Sequence, residues 1–399
     1  MMKKLKLVHT ADVHLDWPFA EGGLTGYSRG RREDIKAAFS AVIRRALTEK
    51  ADLLIIAGDL YEHRHASAQT IAWLSRELQK AGLPVFIVPG NHDPYVANAW
   101  YATWDWPENV HILHSGKPTV TLDRLSVQVH GIGFQAFRQE APDLSLVPPP
   151  AQGFINILVL HGTLDMTFGH HPYNPVTSAQ LDALGYDYYA LGHFHKEGTG
   201  YALKRAFNPG SPEPLGFDEK GEHGAYLVSM EKEGHERARV DVKSFSTAAR
   251  LYAERSLDLT GAGSGEEIRM KLLGVLEGLN PDRDLVRILL KGYSEEQPDV
   301  SGLASSLGDW RYLRLLDQTR RGYDLSSLSK EMTARGAFVR AMLERLKKEQ
   351  AVSTGAGAGR SNPENAPSSA ELVEKALLLG LEALETGKIT SLRDRMQEL

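Results

Sequence analysis

Carboxylate, imidazole and amide side chains follow several short apolar runs in this chain of 399 residues. Runs such as LLIIAG and VFIVPG are typical of buried parallel strands, whose carboxyl ends meet at one edge of a sheet. Neutral imidazole and carboxylate or amide oxygen bind divalent cations, and the chain has no cysteine to compete with them. The polar residues expected at this edge are Asp12, His14, Asp59, Asn91, His92, Asp93, His161, His193 and His195.

So many candidate ligands favour two cations over one. A single carboxylate can bridge two cations that lie roughly 3.5–4 Å apart, which is the arrangement used for phosphoester hydrolysis. Asp59 follows the strand predicted at Leu53–Ala57 and is the candidate bridge. The residues alone therefore predict a two-cation centre at this edge of the sheet.

The order of these residues resembles the motif signature of the calcineurin-like metallophosphoesterases. The matching segments are Asp12-x-His14, Gly58-Asp59, Gly90-Asn91-His92-Asp93, His161 and Gly192-His193-Phe194-His195. Within that superfamily the chain is similar to the SbcD and Mre-type DNA repair exonucleases, and most of all to their YhaO-like branch. The resemblance implies an α/β fold: a two-layered sheet sandwich flanked by helices, with a small α+β capping domain and a tethered C-terminal helix.

The resemblance also assigns roles to the polar residues. One cation would be bound by Asp12, His14, Asp59 and His195, and the other by Asp59, Asn91, His161 and His193. Both cations are expected to be Mn²⁺. His92 would stay off the metals and protonate the leaving oxygen, a role that suits an imidazole near neutral pH. Asp93 would orient that imidazole.

The sequence departs from the resemblance just after the candidate bridge. Many relatives carry an aromatic residue there, followed by aspartate or histidine, and in some of them a histidine positions the DNA. This chain reads YEHRH at positions 61–65. Either His63 takes that role or no residue does, so the handling of substrate stays open at this point.

Composition and charge limit the class of protein. The formal net charge is −5, so an enzyme acting on DNA would need a local basic surface or a basic partner. The candidate basic clusters are Arg29, Arg31, Arg32 and Lys36, and Arg335, Arg340, Arg345, Lys347 and Lys348. Each cluster could equally be a solvated helix face.

The N-terminal residues and the lengths of the apolar runs bear on the location of the protein. The first residues are too few and too charged for a signal peptide, and no apolar run approaches the roughly 20 residues of a membrane span. The absence of cysteine suits a reducing compartment. We therefore expect a cytoplasmic protein with no membrane partner.

The pattern of the sequence divides it into four parts. Residues 1–249 carry the motifs and form the predicted nuclease domain, and residues 250–350 read as a small α+β unit. Residues 351–370 are rich in Gly, Ala, Ser and Asn and predict a flexible linker. Residues 371–399 contain an amphipathic helix. The resemblance makes the second part a capping domain that guides DNA, and makes the helix a ligand for an SbcC- or YhaN-like ATPase, although the helix could instead fold back on its own protein.

An aromatic cluster follows the Asn-His-Asp motif. Aromatic rings beside a nuclease site could stack unpaired bases, but such clusters more often serve packing. Its members are Trp100, Tyr101, Trp104 and Trp106.

The leading hypothesis is a metal-dependent phosphodiesterase, an exonuclease or endonuclease acting on DNA ends with the ATPase partner. The same motifs would serve a phosphoesterase of a small nucleotide or cyclic nucleotide, although such an enzyme does not need the added domain and helix. A third hypothesis is a scaffold whose metal site has decayed; competent residues at every ligand position argue against it. The resemblance also suggests a homodimer through helices near Ser67–Ala81 and Asn98–Trp104.

Overall fold

The structure is a computed structural model that describes residues 2–19, 27–166, 173–198, 201–294, 297–355 and 369–387. It divides into two compact units. The first comprises Met1–Ala253 with Asp282–Leu285, and the second comprises Glu254–Pro281 with Val286–Leu399. Within the described ranges, no helix has the length and apolar character needed to cross a membrane.

The first unit alternates strands and helices in its first half and is mostly strands in its second. In chain order its elements are β1 (Lys3–Thr10), α1 (Tyr27–Thr48), β2 (Leu53–Ala57), α2 (Ala68–Ala81), β3 (Val85–Val88), α3 (Trp100–Thr103), β4 (Val110–Ile112), β5 (Thr119–Leu122), β6 (Val127–Ile132), β7 (Ile155–His161), α4 (Ser178–Leu184), β8 (Tyr188–Gly192), β9 (Ala206–Phe207), β10 (Gly224–Lys232) and β11 (Arg239–Ser246). Strand β12 (Leu251–Asp258) then passes from the first unit into the second.

Two sheets make up the first unit. The six-stranded sheet has the order β11-β10-β1-β2-β3-β4, with β1 to β4 parallel and β10 antiparallel to β1. The five-stranded sheet has the order β5-β6-β7-β8-β9, and only β5 runs antiparallel to its neighbour. The parallel strands of both sheets therefore end in loops that can carry a shared site.

Alternate residues of the central strands face different layers. Leu53 and Ile55 of β2 lie in the core between the sheets, together with Ile157 of β7. Leu54 and Ile56 face the opposite layer, where α1 and α2 cover the six-stranded sheet. Helix α4 packs on the outer face of the five-stranded sheet. The predicted two-layered sandwich flanked by helices is confirmed.

The second unit is a smaller α+β assembly. Its elements after β12 are α5 (Gly265–Leu276), β13 (Asp284–Lys291), β14 (Tyr293–Ser294), α6 (Val300–Ser306), β15 (Leu313–Asp317), β16 (Arg320–Arg321), α7 (Leu325–Leu328), α8 (Ala334–Gly355) and α9 (Ser369–Thr386). A three-stranded sheet has the order β12-β13-β15, and β14 pairs with β16. Strands β13 and β15 are parallel.

Helix α8 runs further than the sequence predicts. It continues to Gly355 and so includes positions 351–355, which were assigned to the flexible linker. Each residue added to an existing helix gains a backbone hydrogen bond and needs no new nucleus, which accounts for the extension. The rest of the predicted linker, residues 356–368, and the last residues, 388–399, lie outside the described ranges.

Helix α9 packs against α8 of its own chain. Leu377 and Leu381 are fully buried in a cluster with Val339. Arg335 of α8 binds Glu385 with an Nη1–Oε1 distance of 2.7 Å. The apolar face expected to be presented on a leash is therefore covered within the second unit, which agrees with the alternative that the helix folds back.

Candidate metal centre

The predicted ligands lie on loops that leave the carboxyl ends of β1, β2, β3, β7 and β8. The loop after β1 continues alongside the one after β2: the backbone N–H of Asp12 donates to Gly58 O at 3.1 Å, and that of His14 donates to Asp59 O at 3.0 Å. Asp12, His14 and Asp59 all have positive φ, at 52°, 50° and 50°. Left-handed backbone is uncommon for residues other than glycine and clusters at functional sites, where the surrounding structure enforces it.

Glycines before the ligands allow the loops to approach one another. A Cβ on Gly90 would lie 2.5 Å from the backbone N of Asp59 and 2.7 Å from its Cγ. A Cβ on Gly58 would collide with the ring of His161 and lie 2.8 Å from that residue's Cβ. The glycines in these motifs therefore leave space for the neighbouring ligand side chains.

The first group of ligand atoms comes from Asp12, His14 and His195, whose ligand atoms lie within 4.8 Å of one another. The Nε2 atoms of the two histidines face each other at 3.0 Å. Each ring donates its Nδ1 hydrogen to a carboxylate at 2.6 Å, His14 to Glu62 and His195 to Glu219. The two Nε2 lone pairs therefore oppose each other unless a proton or a cation lies between them.

The second group comes from Asp59, His161 and His193 and also lies within 4.8 Å. His161 donates its Nδ1 hydrogen to the carbonyl of Ala57 at 2.8 Å, so its Nε2 presents a lone pair. That atom lies 3.3 Å from Asp59 Oδ2 and 3.1 Å from Asn91 Oδ1. His193 Nδ1 is 3.2 Å from the same amide oxygen. Acceptors converging in this way fit a bound cation.

The shifted pKa values of the buried aspartate and histidine side chains also fit bound cations. Burial alone would raise the pKa of Asp59, but the rings of His161 and His14 hold it well below its usual range. Burial lowers the pKa of His161, yet Asp59 and then Asp12 raise it to about 9. Burial likewise opposes Glu219 and Asp12 at His195, where the pKa is raised to about 9. The buried carboxylates thus attract positive charge, which divalent cations would supply.

The four predicted ligands of each cation are therefore brought together, and Asp59 lies between the groups. His14 Nε2 is 3.8 Å from Asp59 Oδ2, and His161 Nε2 is 3.3 Å from the same oxygen. Asp59 is thus the carboxylate that neighbours both groups, as a bridge must. The donor set of imidazole, carboxylate and amide oxygen fits two borderline or hard divalent cations.

His92 lies where the centre opens to solvent. Its side chain is 35% exposed, whereas those of His14 and His161 are fully buried. Its ligand atom lies within 4.8 Å of those of His14 and Asp59. Burial opposes a charged ring, but hydrogen bonding to Glu62 and the charge of Asp59 raise the pKa of His92 to about 9. The ring is placed to meet a group that enters from outside.

The carboxylate that orients His92 is Glu62, not Asp93. His92 Nδ1 lies 3.1 Å from Glu62 Oε2, and Glu62 Oε1 accepts from His14, so one side chain holds both rings. Asp93 instead accepts from the backbone N–H of Gly90 and of Leu60, each at 2.7 Å. It also accepts from Tyr101 Oη at 2.6 Å.

The family resemblance predicts that Asp93 orients His92. Its carboxylate is fully buried and fixes the two loops on which Asp59 and His92 lie. Burial first, and the charge of Asp59 second, raise the pKa of Asp93 to about 7. Its contacts are those of a residue that shapes the backbone of the centre.

Glu219 is the residue that sequence reasoning missed. It lies in an irregular segment and binds His195 Nδ1 at 2.6 Å. Its other oxygen accepts from the backbone N–H of Leu215 at 2.9 Å. Asn208 also holds the His195 loop by donating to Phe194 O at 2.8 Å.

Some members of each predicted basic cluster form ion pairs. Arg31 is fully buried and binds Glu213 at 2.6 Å and Asp34 at 2.8 Å, so it is not a surface contact for DNA. In the second cluster Arg335 binds Glu331 and Glu385.

The aromatic cluster after the Asn-His-Asp motif is packing. Tyr101 is buried and binds Asp93. Trp100 Nε1 donates to Ala66 O at 3.2 Å, and Trp106 Nε1 donates to Trp100 O at 3.1 Å. The tryptophans pack against the core under α1 and α2.

The fold and this centre define a calcineurin-like phosphoesterase, and the chain belongs to that family. The family model described as calcineurin-like phosphoesterase matches residues 5–197. That range includes every predicted metal ligand. The chain is therefore a metal-dependent hydrolase of phosphoester bonds.

Among individual relatives, the chain is 30% identical over 357 residues to the uncharacterized metallophosphoesterase YhaO of Bacillus subtilis (strain 168), covering 82% of this chain and 85% of that one. It is 27% identical over 316 residues to the DNA double-strand break repair protein Mre11 of Sulfurisphaera tokodaii, covering 73% of this chain and 75% of that one. The Mre11 protein of Methanopyrus kandleri is 26% identical over 256 residues, and the match spans 58% of this chain and 55% of that one. A dimetal phosphatase from Danio rerio aligns to 61% of this chain, and to 99% of its own, with 12% identity and a TM-score of 0.33.

Proposed function

We propose that this protein is a two-cation phosphodiesterase that cuts DNA at its ends. The observation that carries the proposal is the pair of ligand groups around Asp59, with His92 at the solvent opening. Divalent cations bound there would lower the pKa of water and offset the charge of a phosphodiester. Mn²⁺ is the cation we expect, as the family resemblance implies.

The residues of the chain divide the remaining tasks. The predicted ligands other than His92 would hold the cations, while Glu62 and Glu219 keep the Nδ1 hydrogens of His14 and His195 in place. Hydrogen bonds of this kind fix the tautomer and orientation of a ligating ring. His92 is the one histidine of the centre both partly exposed and hydrogen-bonded to Glu62, so we assign it the proton given to the leaving oxygen.

DNA as substrate is supported by relatives named as DNA double-strand break repair proteins, matched over more than half of this chain. The second unit adds an α+β assembly that hydrolysis of a small ester does not require. We assign it the capping role, and we assign partner binding by an SbcC- or YhaN-like ATPase to α9. Because the buried face of α9 packs on α8, the ATPase would contact the outer face of that helix pair.

The test is hydrolysis of end-labelled duplex DNA and of bis-p-nitrophenyl phosphate in Mn²⁺ by the purified protein and by His92→Gln. Degradation of DNA by the wild type but not by His92→Gln supports the proposal. Cleavage of the small ester without cleavage of DNA would assign the protein to small substrates. Bound metal without cleavage of either substrate would support a scaffold.

A further inference from the structure

An exposed aromatic side chain lies beside the opening of the metal centre. Phe137 is 40% exposed, and it is the aromatic member of the large apolar side chains that are exposed in the described part of the chain. An exposed phenyl ring forgoes the favourable free energy of burial. Single exposed apolar residues are common, so only the neighbouring groups can indicate a function. The surroundings of Phe137 are therefore what decides its role.

The loop that carries Phe137 is anchored to a metal ligand at both ends. At its start, the ring of Phe134 packs edge-on against His161, with the centroids 5.8 Å apart. At its end, Gln139 donates to Asn174 Oδ1 at 2.9 Å, and Asn174 donates to His161 O at 3.0 Å. The loop is thus fixed relative to the centre, and Phe137 occupies a defined position beside it.

The other side of Phe137 meets the loop that follows Asp59. His63 donates its backbone N–H to His92 O at 3.1 Å, and its ring stands edge-on to Phe137 with the centroids 5.3 Å apart. The guanidinium of Arg64 lies over the Phe137 ring, 5.8 Å from its centroid. The exposed ring of Phe137 and the exposed guanidinium of Arg64 are therefore linked, through His63, to the loop of the partly exposed His92.

We propose that Phe137 and Arg64 bind the nucleotide next to the scissile phosphate, Phe137 by stacking on its unpaired base and Arg64 by contacting a neighbouring phosphate. This inference rests on the proposed function and names the form of its substrate. His92 is partly exposed and its backbone oxygen accepts from His63, whose ring contacts Phe137, so a nucleotide bound at His92 has Phe137 on a neighbouring loop. The faces of a paired base inside a duplex are covered by the neighbouring bases. Stacking on Phe137 therefore selects a frayed or single-stranded end.

The base contact is tested with two single-stranded oligonucleotides of equal length, one normal and one with abasic residues flanking the scissile position, in Mn²⁺. Removing a stacking partner from a base weakens binding by about 5- to 150-fold. We expect the wild type to cleave the normal strand more efficiently than the abasic one by a factor in this range. Phe137→Ala should bring that ratio close to one, Phe137→Trp should keep it, and the exposed-surface control Leu146→Ala should leave it unchanged.

The phosphate contact is tested by the salt dependence of kcat/KM on the normal strand. Loss of one phosphate contact to a single strand reduces the slope of log affinity against log salt by about 0.7. Arg64→Ala should show this reduction, and Arg44→Ala, which removes an exposed arginine of α1, should not.

The inference alone is overturned if folded Phe137→Ala, checked by its melting temperature, keeps the wild-type ratio, or if Arg64→Ala keeps the wild-type slope. If the wild type cleaves neither strand but hydrolyses bis-p-nitrophenyl phosphate, the proposed action on DNA fails and this inference fails with it.

Discussion

Replacing Gly90 with alanine should disable the metal centre while leaving the fold in place. The added Cβ would lie 2.5 Å from Asp59 N and 2.7 Å from its Cγ, whereas ordinary contact begins at 3.4 Å. The loop after β3 or the candidate bridge must therefore move by close to 1 Å. Asp59 is flanked by both ligand groups, so it cannot move without changing both.

The size of the effect follows from that displacement. A misplacement of about 1 Å in a catalytic centre can lower the rate about 100-fold. Overpacking a well-packed site costs about 1–3 kcal/mol of stability, which lowers the melting temperature without unfolding the protein. We expect Gly90→Ala to lose about 100-fold or more in kcat on bis-p-nitrophenyl phosphate and to bind Mn²⁺ more weakly in calorimetry.

The matched control is Gly274→Ala. Gly274 lies in α5, and a Cβ there would meet nothing within 4 Å. Alanine in a helix interior stabilises by roughly 0.5–1 kcal/mol relative to glycine. If Gly90→Ala binds Mn²⁺ and turns over like this control, the close approach of Gly90 to Asp59 does not constrain the centre and the reasoning is wrong.

Four further predictions concern His92, Asp59, Glu219 and Leu377. His92→Gln should retain both Mn²⁺ ions in calorimetry but lose about 100- to 10,000-fold in kcat, because a general acid contributes that much; loss of metal would show that His92 is a ligand. Asp59→Ala should bind far less than two equivalents of Mn²⁺, and two tight ions would exclude it as the bridge. Glu219→Ala should weaken Mn²⁺ affinity by about 10- to 100-fold while Glu219→Gln, which keeps an acceptor, recovers part of it; equal affinities for all three proteins would rule out an orienting role. Leu377→Ala should lower the free energy of unfolding of the second unit by about 2–5 kcal/mol. The control is Leu384→Ala, which removes a side chain that is 52% exposed and should change this free energy by no more than about 0.5 kcal/mol. Similar values for both variants would mean that α9 does not pack on α8.

The positions of the candidate ligands could be predicted because local sequence determines where each strand ends. Strand β2 spans Leu53–Ala57 as its apolar run predicts, and β3 spans Val85–Val88. The residues after each run fall at the edge where parallel strands end. The position of each residue directly after an apolar run was therefore enough to predict that Asp59 and Asn91 lie close together.

The residues that orient the ligands could not be predicted in the same way. Glu219 reaches His195 from an irregular segment, where no periodicity indicates its direction. Glu62 hydrogen-bonds His92 in the place predicted for Asp93, because side-chain direction in a tight loop depends on backbone dihedrals rather than on sequence neighbours. Arg31 was assigned to the surface because a helix with many charges gives no sign of the buried Glu213 it meets.

The surface that covers the apolar face of α9 also could not be predicted from the sequence. Its amphipathic pattern predicts a helix with an apolar face, and that helix is present. The pattern does not state what covers the face, since an apolar stripe fits a partner protein and a neighbouring helix equally well. The cluster of Val339, Leu377 and Leu381 answers this for the buried side of the helix.

The most direct test of the two-cation centre is anomalous diffraction from a crystal grown with Mn²⁺. We expect two strong peaks that share Asp59, one against Asp12, His14 and His195 and the other against Asn91, His161 and His193. The ring of His92 should stay outside both coordination shells. A single peak, or a peak coordinated by His92 together with His14 and Asp59, would contradict the account.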